Sequence, residues 1–288
     1  MAQASRAAGT RPPDREFHFT TEDFDRIRKL IYDHAGISLA PIKQDMVYSR
    51  LARRLRALKL TRFVDYLAVL ENGDETEWET FVNSLTTNLT AFFREGHHFD
   101  ILAGHLKSLS HRPLRIWCSA ASTGEEPYSL AITACEAFGS LTPPVQIFAS
   151  DIDTNVLATG ERGVYPMERV DKLSAERLQL FFLKGTGAQA GYARVRPELQ
   201  KLITFGRVNL LDARWPVQGP LDALFCRNVM IYFDKQTQHR ILEKFLPLIR
   251  QDGLMFAGHS ESFLHAADLF HSIGRTVYER TDRRQKTG

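Results

Sequence analysis

Two carboxylates follow a glycine in the stretch Ser119-Ala-Ala-Ser-Thr-Gly-Glu-Glu-Pro-Tyr-Ser129. Small residues let a backbone come close to a ligand, and Gly124 permits a tight turn. A loop built for a pyrophosphate would carry GxGxxG or a GxxxxGK pattern closed by Ser or Thr, and neither is present. Glu125 and Glu126 repel a pyrophosphate and attract an ammonium. S-adenosylmethionine has an ammonium and a sulfonium and no phosphate, so this loop favours it over NAD or ATP. One of the two acids is accounted for by the dipole of a helix start. A further acid stands at Ser150-Asp-Ile-Asp153. Asp151, first after an apolar run, is placed to accept bonds from the hydroxyls of a ribose. Asp153 reads as the cap of a helix beginning at Thr154 and Asn155. A third group, Cys226-Arg-Asn-Val-Met-Ile-Tyr-Phe233, puts Arg227, Asn228 and Tyr232 after another apolar run, where they are expected to face a crevice. Adenine and glutamine methyltransferases hold an amine or amide with an Asn/Asp-Pro-Pro-aromatic motif at this point. That motif is absent, and an arginine suits an anionic group.

These groups need a frame. From residue 113 the chain alternates strands and helices. Strands are expected over 114–119, 145–150, 202–208, 221–226, 254–257 and 273–280, with helices over 127–138, 154–160 and 237–250. That alternation predicts a parallel sheet wound on both faces, which binds ligands beyond the carboxyl ends of its strands. Residues 165–200 break the rhythm. Gly185, Gly187, Gly191 and short β-like pieces such as Tyr192-Ala-Arg-Val predict a small inserted antiparallel subdomain.

Residues 21–85 read as helices. Thr21, Glu22 and Asp23 precede an apolar series at helical spacing, Phe24, Ile27, Leu30 and Ile31. Met46, Val47, Leu51, Leu55 and Leu58 form the apolar stripe of a second helix from about Lys43. Further helices are expected over 63–70 and 77–85. Residues 43–62 carry Lys43, Arg50, Arg53, Arg54, Arg56, Lys59 and Arg62 against Asp45 alone. So one-signed a stretch suits an acidic partner.

Composition narrows the classes. The 288 residues are 43% hydrophobic and 25% charged, with a net charge of +3. That is ordinary for a globular protein and does not by itself imply a polyanion partner. No apolar run approaches a bilayer's thickness. The three cysteines, Cys118, Cys135 and Cys226, lie far apart in apolar stretches, and the ten histidines show no ligand spacing. Buried free thiols and no metal are expected. Residues 1–16 are small and polar and read as a disordered tail. The reading divides the rest into a helical domain over 17–85, a linker over 86–112 that contributes to the cofactor site, and a catalytic domain over 113–288.

One resemblance joins these pieces. Asn88-Leu-Thr-Ala-Phe-Phe-Arg94, Ala121-Ser-Thr-Gly-Glu-Glu-Pro-Tyr-Ser129, Ala149-Ser-Asp-Ile-Asp153, Val208-Asn-Leu-Leu211 and Phe225-Cys-Arg-Asn-Val-Met-Ile-Tyr-Phe233 resemble, in order and spacing, the CheR family of chemotaxis protein-glutamate O-methyltransferases. The resemblance implies an α/β fold: a class I methyltransferase sheet, doubly wound, with an inserted antiparallel β-subdomain and an N-terminal all-helical domain. By motif match it implies cofactor contacts from Asn88, Thr90, Arg94, Glu126, Asp151, Asn209, Leu210, Arg227 and Asn228, with Arg94, Arg227 and Tyr232 at the methyl-transfer end. S-adenosylmethionine would be the cofactor and S-adenosylhomocysteine the product.

The implied reaction is attack of a glutamate carboxylate of a chemoreceptor on the methyl group. An accessible carboxyl with a pKa near ~4.3 is already ionised, so no base is required. Arg50, Arg53, Arg54 and Arg56 would then dock the acidic receptor helices. The segment Lys184–Val195 resembles the hairpin of family members that bind a peptide at the receptor C-terminus, with Arg194 and Arg196 near its edge. A cytoplasmic protein that meets membranes only through receptors, and binds no nucleic acid, is expected. The competing readings are a nucleic-acid methyltransferase and a non-catalytic S-adenosylmethionine sensor.

Overall fold

The computed structural model describes residues 15–282. Most of the expected tail, residues 1–14, therefore lies outside the described residues. The chain forms two compact units, one of residues up to 30 with 39–85, the other of residues 31–38 with those from 86 onward.

The first unit is helical. Helix α1 (Thr21–Ala35) begins with a reciprocal cap set one residue earlier than the sequence suggested. The Asp23 amide donates to Thr20 Oγ1 at 3.0 Å, and the Thr20 amide donates to Asp23 Oδ2 at 2.9 Å. Helices α2 (Gln44–Leu58), α3 (Phe63–Glu71) and α4 (Glu75–Leu85) follow. Val47, Leu51 and Leu55 of α2 are buried, as are Phe63, Tyr66, Leu67, Phe81 and Val82 of α3 and α4. The arginines of α2 are mostly engaged within the unit. Arg50 donates to the Leu85 carbonyl at 3.0 Å, at the end of α4. Arg54 makes a two-pronged pair with buried Glu77 at 3.0 and 2.6 Å, and Tyr66 donates to the same carboxylate at 2.8 Å. Arg56 holds Glu16 at 2.7 Å on the surface. The expected row of four docking arginines thus has one member, Arg54, committed to an internal carboxylate.

The second unit opens with α5 (His97–Ser108), which the reading of 86–112 as linker missed. Phe99, Leu102 and Leu106 give it an apolar face at helical spacing, and all three are buried. Then come β1 (Leu114–Cys118), α6 (Glu125–Phe138), β2 (Val145–Asp151) and α7 (Thr154–Arg162). The insertion contains β3 (Val164–Pro166), α8 (Met167–Val170), α9 (Ala175–Phe181), β4 (Phe182–Lys184), β5 (Tyr192–Val195) and α10 (Pro197–Gln200). The main fold resumes with β6 (Ile203–Arg207), β7 (Leu221–Cys226), α11 (Lys235–Phe245), β8 (Ile249–Ala257), β9 (Phe270–Gly274) and β10 (Val277–Arg280).

Seven strands form one sheet in the order β6-β2-β1-β7-β8-β10-β9. The first five are parallel, β10 is antiparallel to β8, and β9 is antiparallel to β10. Successive residues of β1 serve opposite faces. Leu114, Ile116 and Cys118 join the core with α5 and α6, whereas Trp117 joins the core with Ile241, Leu242 and Phe245 of α11. The insertion is a three-stranded antiparallel sheet in the order β3-β5-β4, as expected. Arg194, expected near its edge, stands on the central strand β5, opposite Val164 and Leu183.

Two expectations near the C-terminus are corrected. The helix read over 237–250 ends at Phe245; a short 3-10 turn with Pro247 follows, and β8 begins at Ile249. Proline has no N–H to continue the helical ladder. The strand read over 273–280 is a hairpin, because Arg275 (φ 52°) and Thr276 (φ 57°) both turn left-handed. Neither residue type advertises such a turn.

Candidate functional site

In the large sheet the chain runs outward from β1 to β2 and later β6, then crosses back to β7 on the other side of β1, so the winding direction reverses at β1. A doubly wound sheet opens its ligand crevice at such a place, beyond the carboxyl ends of the strands. The loop after β1 is held there tightly. Gly124 has φ +96°, and a Cβ on it would stand 2.7 Å from the Tyr165 hydroxyl and 2.8 Å from the Gly160 Cα. Tyr165, from β3, donates to the Thr123 carbonyl at 2.8 Å. The inserted subdomain therefore braces this loop.

The two acids of the loop separate. Glu125 is fully buried, accepts the Thr123 hydroxyl at 2.6 Å and pairs with Arg169. Glu126 turns to the strand ends, where it accepts Arg227 Nη1 at 2.6 Å and the Cys118 thiol at 3.3 Å. Glu126 is thus the acid left facing the crevice. Asp151 stands at the end of β2. Its Oδ2 accepts the Ser122 amide at 2.8 Å and its Oδ1 the Asp153 amide at 3.0 Å. Burial pushes its carboxyl up to about 6, and those two N–H groups offset part of the rise. Asp153 caps α7 as expected, accepting the amides of Asn155 and Val156.

Several candidate residues turn out to fix loops. The Asn88 side chain donates to Asp153 Oδ2 at 2.8 Å, and its carbonyl accepts the Ser122 hydroxyl at 3.2 Å. The Asn209 side chain donates to the His34 carbonyl at 2.7 Å and accepts the Leu211 amide at 3.0 Å; Leu210 beside it is buried. Thr90 and Arg94 are half-buried, and Arg94 donates to the Leu89 carbonyl at 3.1 Å. Phe93 (φ 50°) and Glu95 (φ 58°) flank Arg94 in left-handed geometry that side chains other than glycine seldom adopt.

Arg227 departs from the expectation that it faces the crevice. Its side chain is 1% exposed and lies between the carboxylates of Glu126 and Glu95, at 2.6 and 3.1 Å. Its Nη2 also donates to the Arg94 carbonyl at 2.6 Å. The reason is electrostatic: a cation at the end of a buried central strand needs counter-charges close by. Burial alone would lower its pKa, but the two carboxylates outweigh that and raise it. Glu95 sits below the usual carboxylate range: burial pushes it up, and the charge of Arg227 and the His259 amide more than reverse this. Asn228 follows in left-handed geometry with φ 58°, its amide on Glu261, and Tyr232 is half-buried nearby in sequence.

Glu95, Glu261 and Arg169 were missed by sequence reasoning. Glu261 had a signal of the kind that picked out Asp151, an acid close behind a strand end, in Gly258-His-Ser-Glu261. Around Arg227 two carboxylates meet one guanidinium, so the cluster keeps a net negative charge. With Asp151 at the neighbouring strand end, this suits a ligand bearing an ammonium, a sulfonium and ribose hydroxyls. Among the described residues no group of His, Cys, Asp or Glu is arranged to hold a metal.

Comparison with known proteins decides the family. Residues 22–86 match the model described as "CheR methyltransferase, all-alpha domain", and residues 88–279 the one described as "CheR methyltransferase, SAM binding domain". The chain belongs to the CheR methyltransferase family. It is 57% identical to "Chemotaxis protein methyltransferase 2" of Pseudomonas aeruginosa over 267 residues, covering 92% of this chain and 95% of the relative. It is 54% identical to the "Chemotaxis protein methyltransferase" of Salmonella typhimurium, covering 88% of each chain. The Escherichia coli protein of the same description is 53% identical, with 88% of this chain and 89% of the relative covered. As a CheR methyltransferase the chain uses S-adenosylmethionine as methyl donor and acts on chemoreceptors. The readings as a nucleic-acid enzyme and as a non-catalytic sensor are set aside. Among the described residues no helix is long and apolar enough to cross a membrane.

Proposed function

We propose that this CheR methyltransferase methylates glutamate side-chain carboxylates of cytoplasmic receptor helices, giving glutamyl methyl esters. The observation that carries this reading is the buried Glu126–Arg227–Glu95 cluster, an anionic cradle that also holds the carbonyl of half-buried Arg94. S-adenosylmethionine supplies a methyl group on a sulfonium. Glu126 and Asp151 hold its cationic and ribose parts, with Asn88, Thr90, Arg94, Asn209, Leu210 and Asn228 completing the wall. Arg227 keeps Glu126 oriented. Arg94 and Tyr232 receive the substrate carboxylate, which arrives ionised and needs alignment and a dry site, not a base.

Docking has two parts in this reading. Arg53, exposed on α2, leads Arg50 and Arg56 toward the acidic receptor helices, while Arg54 stays on Glu77. The small sheet has β3 and β4 as its edges and exposes Leu183 and Tyr192, with Leu180 exposed on the adjoining α9, features suited to an added strand from a receptor C-terminal peptide. The protein is taken to work in the cytoplasm, reaching membranes through its receptors. The test is incubation with labelled S-adenosylmethionine and receptor-containing membranes. Base-labile label on the receptor is expected; base-stable label, or none, overturns the assignment. A receptor lacking its terminal peptide should show a raised KM and an unchanged kcat.

A further inference from the structure

The loop after β7 ends in three consecutive amides that all point at one side chain. Glu261 accepts the Asn228 amide at 2.9 Å, the Val229 amide at 3.0 Å and the Met230 amide at 2.8 Å. The Gly258 amide, from Glu261's own loop, donates to it at 2.5 Å. Its two oxygens thus serve four N–H groups, and the residue is 5% exposed. An ionised carboxylate has about four acceptor positions, so little capacity remains for a ligand. Glu261 is therefore neither a base nor a cofactor contact.

The two loops can approach this closely only because residue 258 is glycine. A Cβ there would lie 2.8 Å from the Asn228 nitrogen and 2.8 Å from Glu261 Oε2. From the other side Gln238 of α11 donates to the carbonyls of Met230 and Phe233 at 2.8 and 3.0 Å. The clamped segment begins at Arg227, whose guanidinium sits between Glu95 and Glu126, and ends at Tyr232. Asn228 within it is held left-handed at φ 58°, a conformation that needs support from its surroundings.

We propose that Glu261 is a positioning residue for methyl transfer: its carboxylate, by gathering the amides of residues 228–230 and 258, sets the turn that places Arg227 and Tyr232. This rests on the reading of the site given above. The chemistry of the clamp makes it selective for a carboxylate. A glutamine keeps the size, yet turns an NH2 group toward amides that only donate.

Full-length E261Q and E261D test it by three measurements: S-adenosylhomocysteine affinity by calorimetry, kcat and KM on receptor membranes, and amide exchange by residue. E261Q is expected to lose about ten-fold or more in kcat with receptor KM changed less than about three-fold, because alignment and not docking is disturbed. Exchange should rise at residues 228–230 and 258 while the amides of β1 and β2 stay protected, and E261D should recover part of the kcat. An E261Q protein with wild-type kcat overturns the proposal. So does a kcat loss accompanied by faster exchange throughout the sheet, which marks general destabilisation. Should E261Q not fold, E261D decides: reduced kcat with faster exchange confined to those amides supports the clamp, and any other combination rejects it. If the wild-type protein esterifies no receptor glutamate, the functional reading fails, whereas the exchange at residues 228–230 and 258 still judges the clamp.

Discussion

Arg227 and Asp151 show how burial sets what a single residue can do. A guanidinium that already serves two carboxylates and a carbonyl, on a side chain 1% exposed, is poorly accessible to a third carboxylate, although its Nε–H has no partner among the described residues. In the proposed reading its contribution is to hold Glu126, which it pairs at 2.6 Å. Arg227→Ala leaves Glu95 and Glu126 facing each other in a poorly hydrated place. The expected loss is on the order of 3 kcal/mol of stability, as for other broken buried pairs, together with most of the cofactor affinity. Thermal melting and calorimetry check this; a variant that melts like wild type would mean the cluster is better hydrated than its 1% exposure implies. Asp151 titrates in an accessible range, near 6, because burial raises it. On the proposed reading a ribose hydroxyl would donate to the carboxylate, so binding should weaken as pH falls through that value. If only the ionised form binds, S-adenosylhomocysteine affinity should be roughly four-fold lower at pH 5.5 than at pH 7.5. Asp151→Asn should flatten that profile. The stability of the ligand-free fold runs the opposite way. A raised carboxyl contributes stability that is complete below about 4 and is lost as pH rises through about 6.

At the scale of elements, the β1–α6 turn is the part most constrained by its neighbours. Gly124→Ala adds a Cβ against the Gly160 backbone and the Tyr165 hydroxyl, at a residue with φ +96°. Both the steric and the conformational terms oppose it, so a loss of at least about 2 kcal/mol is expected. Tyr165 would leave the Thr123 carbonyl, uncoupling the inserted sheet from the cofactor loop. A melt and a calorimetric titration measure this; an unchanged protein would show that the turn relaxes freely. Such turns were legible in the sequence because they are local: glycine, acids and a following apolar helix lie within about ten residues. The parallel strands β1, β2 and β7 were legible because their apolar runs are bounded by small polar residues. The α5 helix was hidden behind the His97-His98 pair and a short apolar stripe, and the β9–β10 hairpin behind an Arg-Thr turn. Glu95 was illegible, and Glu261 legible only as an acid close behind a strand end, for a different reason. Their partners, Arg227 and Asn228, lie 132 and 33 residues away, respectively, and no local pattern tells that an acid's task is to hold a distant loop.

For the whole molecule, charge decides how it meets a receptor, and the arginines of α2 divide by what they already hold. Arg54 neutralises Glu77, a residue only 4% exposed that also takes the Tyr66 hydroxyl. Removing that guanidinium leaves a buried anion, so Arg54→Ala should act through the stability of the helical unit, on the order of 3 kcal/mol. Arg53 is exposed, and among the described residues its guanidinium makes no ion pair with an acid. Reversing its charge should leave the melt unchanged and weaken only the encounter with an acidic helix. For Arg53→Glu we expect a receptor KM several-fold higher at low ionic strength, with kcat unaltered. The difference from wild type should shrink toward none near 0.5 M salt, where the screening length falls to about 4 Å. The same variant should bind S-adenosylhomocysteine normally, which separates docking from the cofactor site. An Arg53→Glu enzyme with the wild-type KM and salt dependence would remove α2 from the docking surface and shift the burden to the peptide edge of the small sheet.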